Sequence, residues 1–195
     1  KTGHECMVMG IRKTIDNDLW GTDHCPGYGS AAKYIATSIM EIYLDARVYD
    51  KGMITVLEIM GRNAGWLAAS SALASYKGYG PDLIYLPELP FDMDEFIENI
   101  SRIYKEKGNV IIAVSEGIKD KNGTYISEYG TDLAKHKDPF GHPQLGGLAV
   151  TLANFAKENT GAKVRGIEFS LLQRCASHLA SLTDVNEAYM AGQAA

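Results

Sequence analysis

Short runs of apolar and β-branched residues alternate along this chain with longer stretches in which apolar side chains return every three to four positions. The short runs predict strands at 5–10, 53–59, 82–86, 109–115 and 163–169. The helical period predicts helices at about 28–47, 64–77, 92–107 and 143–159. One helix carries its own start and stop signals. Asp92 is placed to cap it, with Glu95 completing a capping box, and Gly108 follows its last turn. Strands alternating with helices of this length imply βαβ units, and so an α/β fold: a three-layer, doubly wound parallel sheet with both faces covered. Residues 117–142, rich in Gly, Asp, Lys and His, follow neither period and read as an excursion or loop. No internal repeat or low-complexity tract interrupts the pattern.

Composition narrows the possibilities without naming a function. With 195 residues, 46% of them hydrophobic, the chain can bury a core for one large domain or parts of two. A net charge of -5 argues against nucleic acid as the main partner, because phosphate backbones require clustered Lys and Arg. No apolar run approaches the roughly 18 residues that span a bilayer, so no membrane partner is expected, and no signal peptide is visible. Cys6, Cys25 and Cys175 contain no CxxC pair and read as reduced thiols of a cytoplasmic protein. The chain opens on Lys1-Thr2 with a predicted strand almost at once, an awkward place for a natural domain to start.

The candidate chemistry lies just after the predicted strands. Lys13, Thr14, Asp16 and Asp18 follow the first, and Met60-Gly61-Arg62 follow the second. The strand at 109–115 runs into Glu116-Gly117, Arg165 lies within the last strand, and Gln173-Arg174 come soon after it. Open parallel sheets bind ligands at the carboxyl ends of their strands. Cations and carboxylates gathered there would suit a phosphorylated substrate that bears hydroxyls. In the Asp16/Asp18 pair one carboxylate can accept a hydroxyl proton while the other helps to hold a metal. The same pair also reads as an Asx turn, and with Asp23 and Gly21 it loosely resembles a calcium loop, though the ligand register is wrong. Met60-Gly61-Arg62 reads equally as a strand end with an exposed arginine, and Glu116 as a capped loop residue. Gly27, Gly29 and Ser30 form a weak anion-binding signal at a helix start. His24, His136, His142 and His178 lack metal-ligand spacing and read as surface or hydrogen-bonding residues.

Taken in order, the motifs resemble the phosphofructokinase family. The matching blocks are Lys13-Thr14-Ile15-Asp16-Asn17-Asp18, Gly21-Thr22-Asp23, Glu58-Ile59-Met60-Gly61-Arg62 and Pro87-Glu88. Ser115-Glu116-Gly117, Arg165 and Leu172-Gln173-Arg174 complete the series, which covers nearly the whole chain. The resemblance implies that Asp16 is the general base for the sugar 1-hydroxyl of fructose 6-phosphate. It implies that Asp18 assists at the Mg²⁺ and phosphoryl-transfer centre and that Thr14 contacts the transferring group or the sugar. Met60, Gly61 and Arg62 would line the sugar-phosphate pocket, Glu116 would bond sugar hydroxyls, and Arg165 and Arg174 would bind the 6-phosphate. Members of the family are usually homodimers or homotetramers, so the resemblance implies association here too.

Lys13 bears on the donor, because a lysine just before Thr-Ile-Asp-Asn-Asp is typical of pyrophosphate-dependent members, whereas many ATP-dependent members carry glycine. Some ATP users share the lysine, so pyrophosphate is favoured and ATP stays open. Two positions depart from the family: Leu171 stands where a histidine is usual, and Met53 where many members have an arginine that crosses a subunit interface. Lys51 or Arg47 are the nearby substitutes. Relative to the family the chain resembles an internal piece, without the N-terminal donor-binding loop and the C-terminus. The resemblance divides it into a remnant of the donor-binding domain (1–26), a fructose 6-phosphate domain (27–174) and a helix returning to the donor-binding domain (175–195). A piece of this kind, taken alone, would be an inactive sugar-phosphate-binding or oligomerising module. A related kinase acting on another sugar phosphate is the remaining alternative.

Overall fold

The computed structural model describes residues 3–48, 50–130 and 147–195. Its centre is a four-stranded sheet in the order β2-β3-β1-β4, with every neighbouring pair parallel. The strands are β1 (Met53–Ile59), β2 (Leu83–Tyr85), β3 (Val110–Ser115) and β4 (Lys163–Glu168). Around them lie α1 (Tyr28–Asp45), α2 (Trp66–Ser70), α3 (Met93–Lys107), α4 (Leu148–Thr160), α5 (Leu172–Cys175) and α6 (Leu182–Ala194). None of these helices is long and apolar enough to cross a membrane.

The two central strands are buried along their whole length because both faces are covered. Alternation in β1 and β3 divides the core. Ile54, Val56, Val110, Ile112 and Val114 pack against Phe96 and Ile100 of α3 and Leu152 of α4. Met53, Leu57, Ile59, Ile111 and Ala113 pack on the other face against Ile35 and Ile39 of α1 and Leu67 of α2. This is the expected three-layer α/β architecture. Parallel pairing brings the ends of β1, β3 and β4 level, with Ile59 opposite Ser115 and Glu58 opposite Glu168.

The Asp92 cap and the Gly108 stop of α3 both form. The Asp92 carboxylate accepts the N–H groups of Asp94 and Glu95, at 2.9 and 3.1 Å, and Gly108 closes the helix at φ 76°. The predicted helix at 64–77 instead divides into α2 and a 3-10 helix at Ser71–Lys77. At the break the buried Ser70 hydroxyl donates to the Leu67 carbonyl, a side-chain bond that competes with the backbone ladder.

The predicted strand at 5–10 does not form. Residues 3–27 contain no strand or helix, and Met7 and Val8 are 96% and 85% exposed. A strand exists only through its ladder, and no described strand pairs with this segment. The last helix also starts later than expected: α5 and a 3-10 turn at Ser177–Leu179 precede α6. Residues 143–146 of the predicted fourth helix lie outside the described residues, as do 131–142 of the excursion with His136 and His142.

Candidate active site

The ends of β1 and β3 are bound into one unit. The Glu116 N–H donates to the Ile59 carbonyl at 2.8 Å, and the buried Ser115 hydroxyl donates to the Gly61 carbonyl. The Gly61 N–H donates to Glu116 Oε1 at 3.4 Å. Gly61 sits at φ 129°, a region that side chains avoid, and a Cβ on Gly117 would collide with the Arg62 carbonyl. Both glycines therefore permit the close crossing that places Arg62 beside Glu116. From the other side, the buried Gln173 accepts the Met60 N–H at 3.2 Å and donates to the Ser170 carbonyl at 3.1 Å. Met60, Glu116 and Gln173, with Glu58 and Glu168, line a small cavity of about 80 Å³.

Asp16 approaches this unit from the irregular N-terminal segment. Its N–H donates to the Thr14 hydroxyl at 3.2 Å, which closes a tight turn, and Asn17 beside it sits at φ 59°. Burial raises the Asp16 pKa, the Asp18 charge raises it further, and the Lys13 and Arg62 charges pull it down. Glu116 is also raised, first by burial and then by the charge of Asp16, against the Gly61 N–H and Arg62. Arg62 thus acts on both carboxylates. Asp16 Oδ1 and Arg62 Nε are buried with no protein hydrogen-bond partner. Buried polar atoms left unpaired cost about 1–3 kcal/mol each, so their presence together marks a place built to receive something polar.

Lys13 and Arg174 share a neighbouring cleft of about 320 Å³, lined also by Ile15, Ser30, Gln173 and Ser177. The structure therefore brings Asp16, Arg62 and Glu116 together, with Met60 and Gly61 supporting them, and sets Lys13 and Arg174 in one cleft. Asp18 is exposed at the end of the Asp16 turn. Arg165 stays apart, exposed in the middle of β4 opposite Thr55. That register leaves it three residues short of the strand end, about 10 Å at strand pitch.

Three residues of structural weight were not singled out as site residues. Glu58 is the one acid in a strand of otherwise uncharged residues, and it accepts the Ala149 N–H at 2.8 Å at the start of α4. Burial drives its pKa up to about 7, against that N–H and with help from Glu168 and Glu116. Gln173 was visible only as the neighbour of Arg174. Asp184 occupies the weak anion signal at the start of α1, where it accepts the N–H groups of Gly27 and Ser30. No pattern links a helix start to a carboxylate so far along the chain.

Among the described residues no cluster of three His, Cys, Asp or Glu side chains could hold a metal ion. Mg²⁺ asks for less, since it is commonly held by one or two carboxylates together with substrate phosphates. The unpartnered Asp16 oxygen and the exposed Asp18 fit that requirement.

Fold and site define an α/β protein that presents carboxylates and cations at the carboxyl ends of a parallel sheet. The phosphofructokinase family model matches residues 1–181, and the chain belongs to that family. It is 43% identical over 198 residues to a pyrophosphate–fructose 6-phosphate 1-phosphotransferase of Halomonas elongata, a match covering 100% of this chain and 46% of the relative. A sulfofructose kinase of Alkalicoccus urumqiensis is 34% identical, over 98% of this chain and 48% of its own length. The solved pyrophosphate-dependent phosphofructokinase from Nitrosospira multiformis superimposes with a TM-score of 0.75 at 38% identity, covering 94% of this chain and 42% of that one. The chain spans about half the length of the curated relatives it matches.

Proposed function

We propose that the protein is a glycolytic phosphotransferase that moves a phosphoryl group from pyrophosphate to the 1-hydroxyl of fructose 6-phosphate, giving fructose 1,6-bisphosphate and phosphate. The observation that carries this reading is the buried, unpartnered Asp16 oxygen beside the likewise unpartnered Arg62. Asp16 takes the proton from the 1-hydroxyl as the oxygen attacks. Its raised pKa makes it a stronger base than an ordinary carboxylate, while Lys13 and Arg62 favour its ionised form. Arg62 offsets the charge of the site, and Glu116 bonds the sugar hydroxyls. Arg174 binds the 6-phosphate from the cleft, whereas Arg165, exposed in the middle of β4, is left out of this site. Thr14 shapes the turn that presents Asp16 and faces the transferring group. Asp18 would help to hold Mg²⁺, which when bound neutralises charge on the phosphate oxygens, while Asp16 stays free to take the proton.

Lys13 in the wall of the cleft favours pyrophosphate, because an ammonium there compensates a departing phosphate and fills space that a nucleotide would need. The names of the relatives point the same way. ATP is the alternative donor. We place the enzyme in the cytoplasm as a homodimer or homotetramer. A second reading, a kinase for another sugar phosphate, draws on the exposed Leu171 where the family has histidine, and the sulfofructose kinase relative extends it to a sugar that bears a sulfonate in place of the phosphate.

The test is turnover of the full-length protein with pyrophosphate or ATP, and with fructose 6-phosphate or its sulfonate analogue. Production of fructose 1,6-bisphosphate, faster with pyrophosphate, is expected. Turnover of the sulfonate alone would select the second reading. Binding of fructose 6-phosphate without turnover by either donor would mark a binding module instead.

A further inference from the structure

Residues 13–27 carry Asp16 yet belong to no helix or strand, and side-chain bonds supplement a few backbone turns in fixing their path. Asn17, next to Asp16, is held in the left-handed region at φ 59° while its Oδ1 accepts the Cys25 N–H at 2.8 Å. Cys25 is fully buried. Two residues on, the Gly27 N–H donates to Asp184 Oδ1 at 2.9 Å. The other oxygen of Asp184 accepts both the N–H and the hydroxyl of Ser30, each at 2.6 Å. The Ser30 hydroxyl in turn accepts the Ser181 N–H at 2.9 Å.

One carboxylate in the first turn of α6 thus fills the start of α1 from 154 residues away, and it is only 8% exposed. A helix start favours an anion, and here the chain supplies its own. Burial acts to raise the Asp184 pKa, but the Ser30 hydroxyl and the two N–H groups outweigh it and hold the group below its usual value. One turn further along α6, Glu187 meets His24 at 2.6 Å. The same helix therefore grips the segment at two points just after the Asp16 turn.

We propose that Asp184 is a positioning residue for the Asp16 turn: through Gly27, Cys25 and Asn17 it holds the base where the substrate hydroxyl must lie. The inference rests on the assignment of Asp16 as the base. A displacement of about 1 Å at a reacting group can cost on the order of a hundredfold in rate, so a carboxylate that never touches substrate can govern turnover.

The experiment uses Asp184→Asn and the milder Ser30→Ala in the full-length protein, with two readouts. The first is the alkylation rate of Cys25, followed by mass spectrometry together with hydrogen exchange over 13–30. In Asp184→Asn, Cys25 should react about tenfold faster or more while exchange in β1 and β3 stays unchanged; Ser30→Ala should show a smaller change of the same sign. The second readout is kinetic: kcat should fall about tenfold or more, with KM for fructose 6-phosphate within about threefold. Unchanged Cys25 protection in both variants overturns the proposal, and so does a loosened segment with wild-type kcat. If the wild-type protein forms no fructose 1,6-bisphosphate, the proposed function fails, and Cys25 protection alone still decides whether Asp184 holds the turn.

Discussion

The two sides of the candidate site are built by different means. Met60, Gly61, Arg62 and Glu116 leave the ends of buried parallel strands, whose ladder and two apolar faces fix them before any ligand arrives. Asp16 leaves an irregular segment whose apolar residues Met7, Val8 and Met9 point into solvent. Its geometry depends on a few bonds: Thr14 to Asp16, Asn17 to Cys25, and Asp184 to Gly27. Sheet ends therefore hold one side of the candidate site rigidly, whereas the Asp16 side hangs on a few side-chain bonds, one of them to the distant Asp184.

The largest contrast is expected in stability. Leu57→Ala, in the middle of β1, should cost about 2–5 kcal/mol in denaturant unfolding, because it opens a cavity in a fully buried layer. A loss below about 1 kcal/mol would show the sheet to be less rigid than argued.

Glu58 sharpens the comparison, since the rigid side carries a buried acid. Its folded pKa, about 7, lies above the ordinary 4.5. The folded state then binds more protons than the unfolded state between those values, so this group makes stability fall as pH rises from about 4.5 to about 7 and level off above. Glu58→Gln keeps an acceptor for the Ala149 N–H and removes the charge. It should stabilise the protein by about 1–3 kcal/mol at pH 8 and by almost nothing near pH 4. Equal effects at both pH values would refute the titration. Asp184 runs the other way: its pKa is lowered, so its contribution is present above the ordinary carboxylate value and is lost as pH falls through the folded one.

The smallest effect belongs to the irregular side. Val8→Ser should change stability by less than about 0.5 kcal/mol, because this side chain buries almost nothing. A loss above about 1 kcal/mol would mean that the segment packs more firmly than its exposure implies.

The same division explains what could be read in advance. β1, β3 and α3 were legible because their patterns are local: unbroken apolar runs, Asp92 before a helix, Gly108 after it. The run at 5–10 has the same local pattern without a partner strand among the described residues, and pairing is not a local property. The predicted helix at 64–77 divides at Ser70, whose hydroxyl bonds the Leu67 carbonyl. In the site, Asp16, Arg62 and Glu116 were visible as charged residues beyond predicted strands. The mid-strand place of Arg165 depended on register, and the link from Asp184 to Ser30 spans 154 residues. Neither register nor distant pairing is written in a single sequence.

The central claim is that Asp16 is the base of a phosphoryl transfer to fructose 6-phosphate. Its most direct test is steady-state kinetics of Asp16→Asn in the full-length protein with pyrophosphate and fructose 6-phosphate. The substitution keeps the size of the side chain and removes its ability to take a proton. The account predicts a fall in kcat of about 10²–10⁴ with little change in KM for the sugar. Turnover within about tenfold of wild type would contradict it.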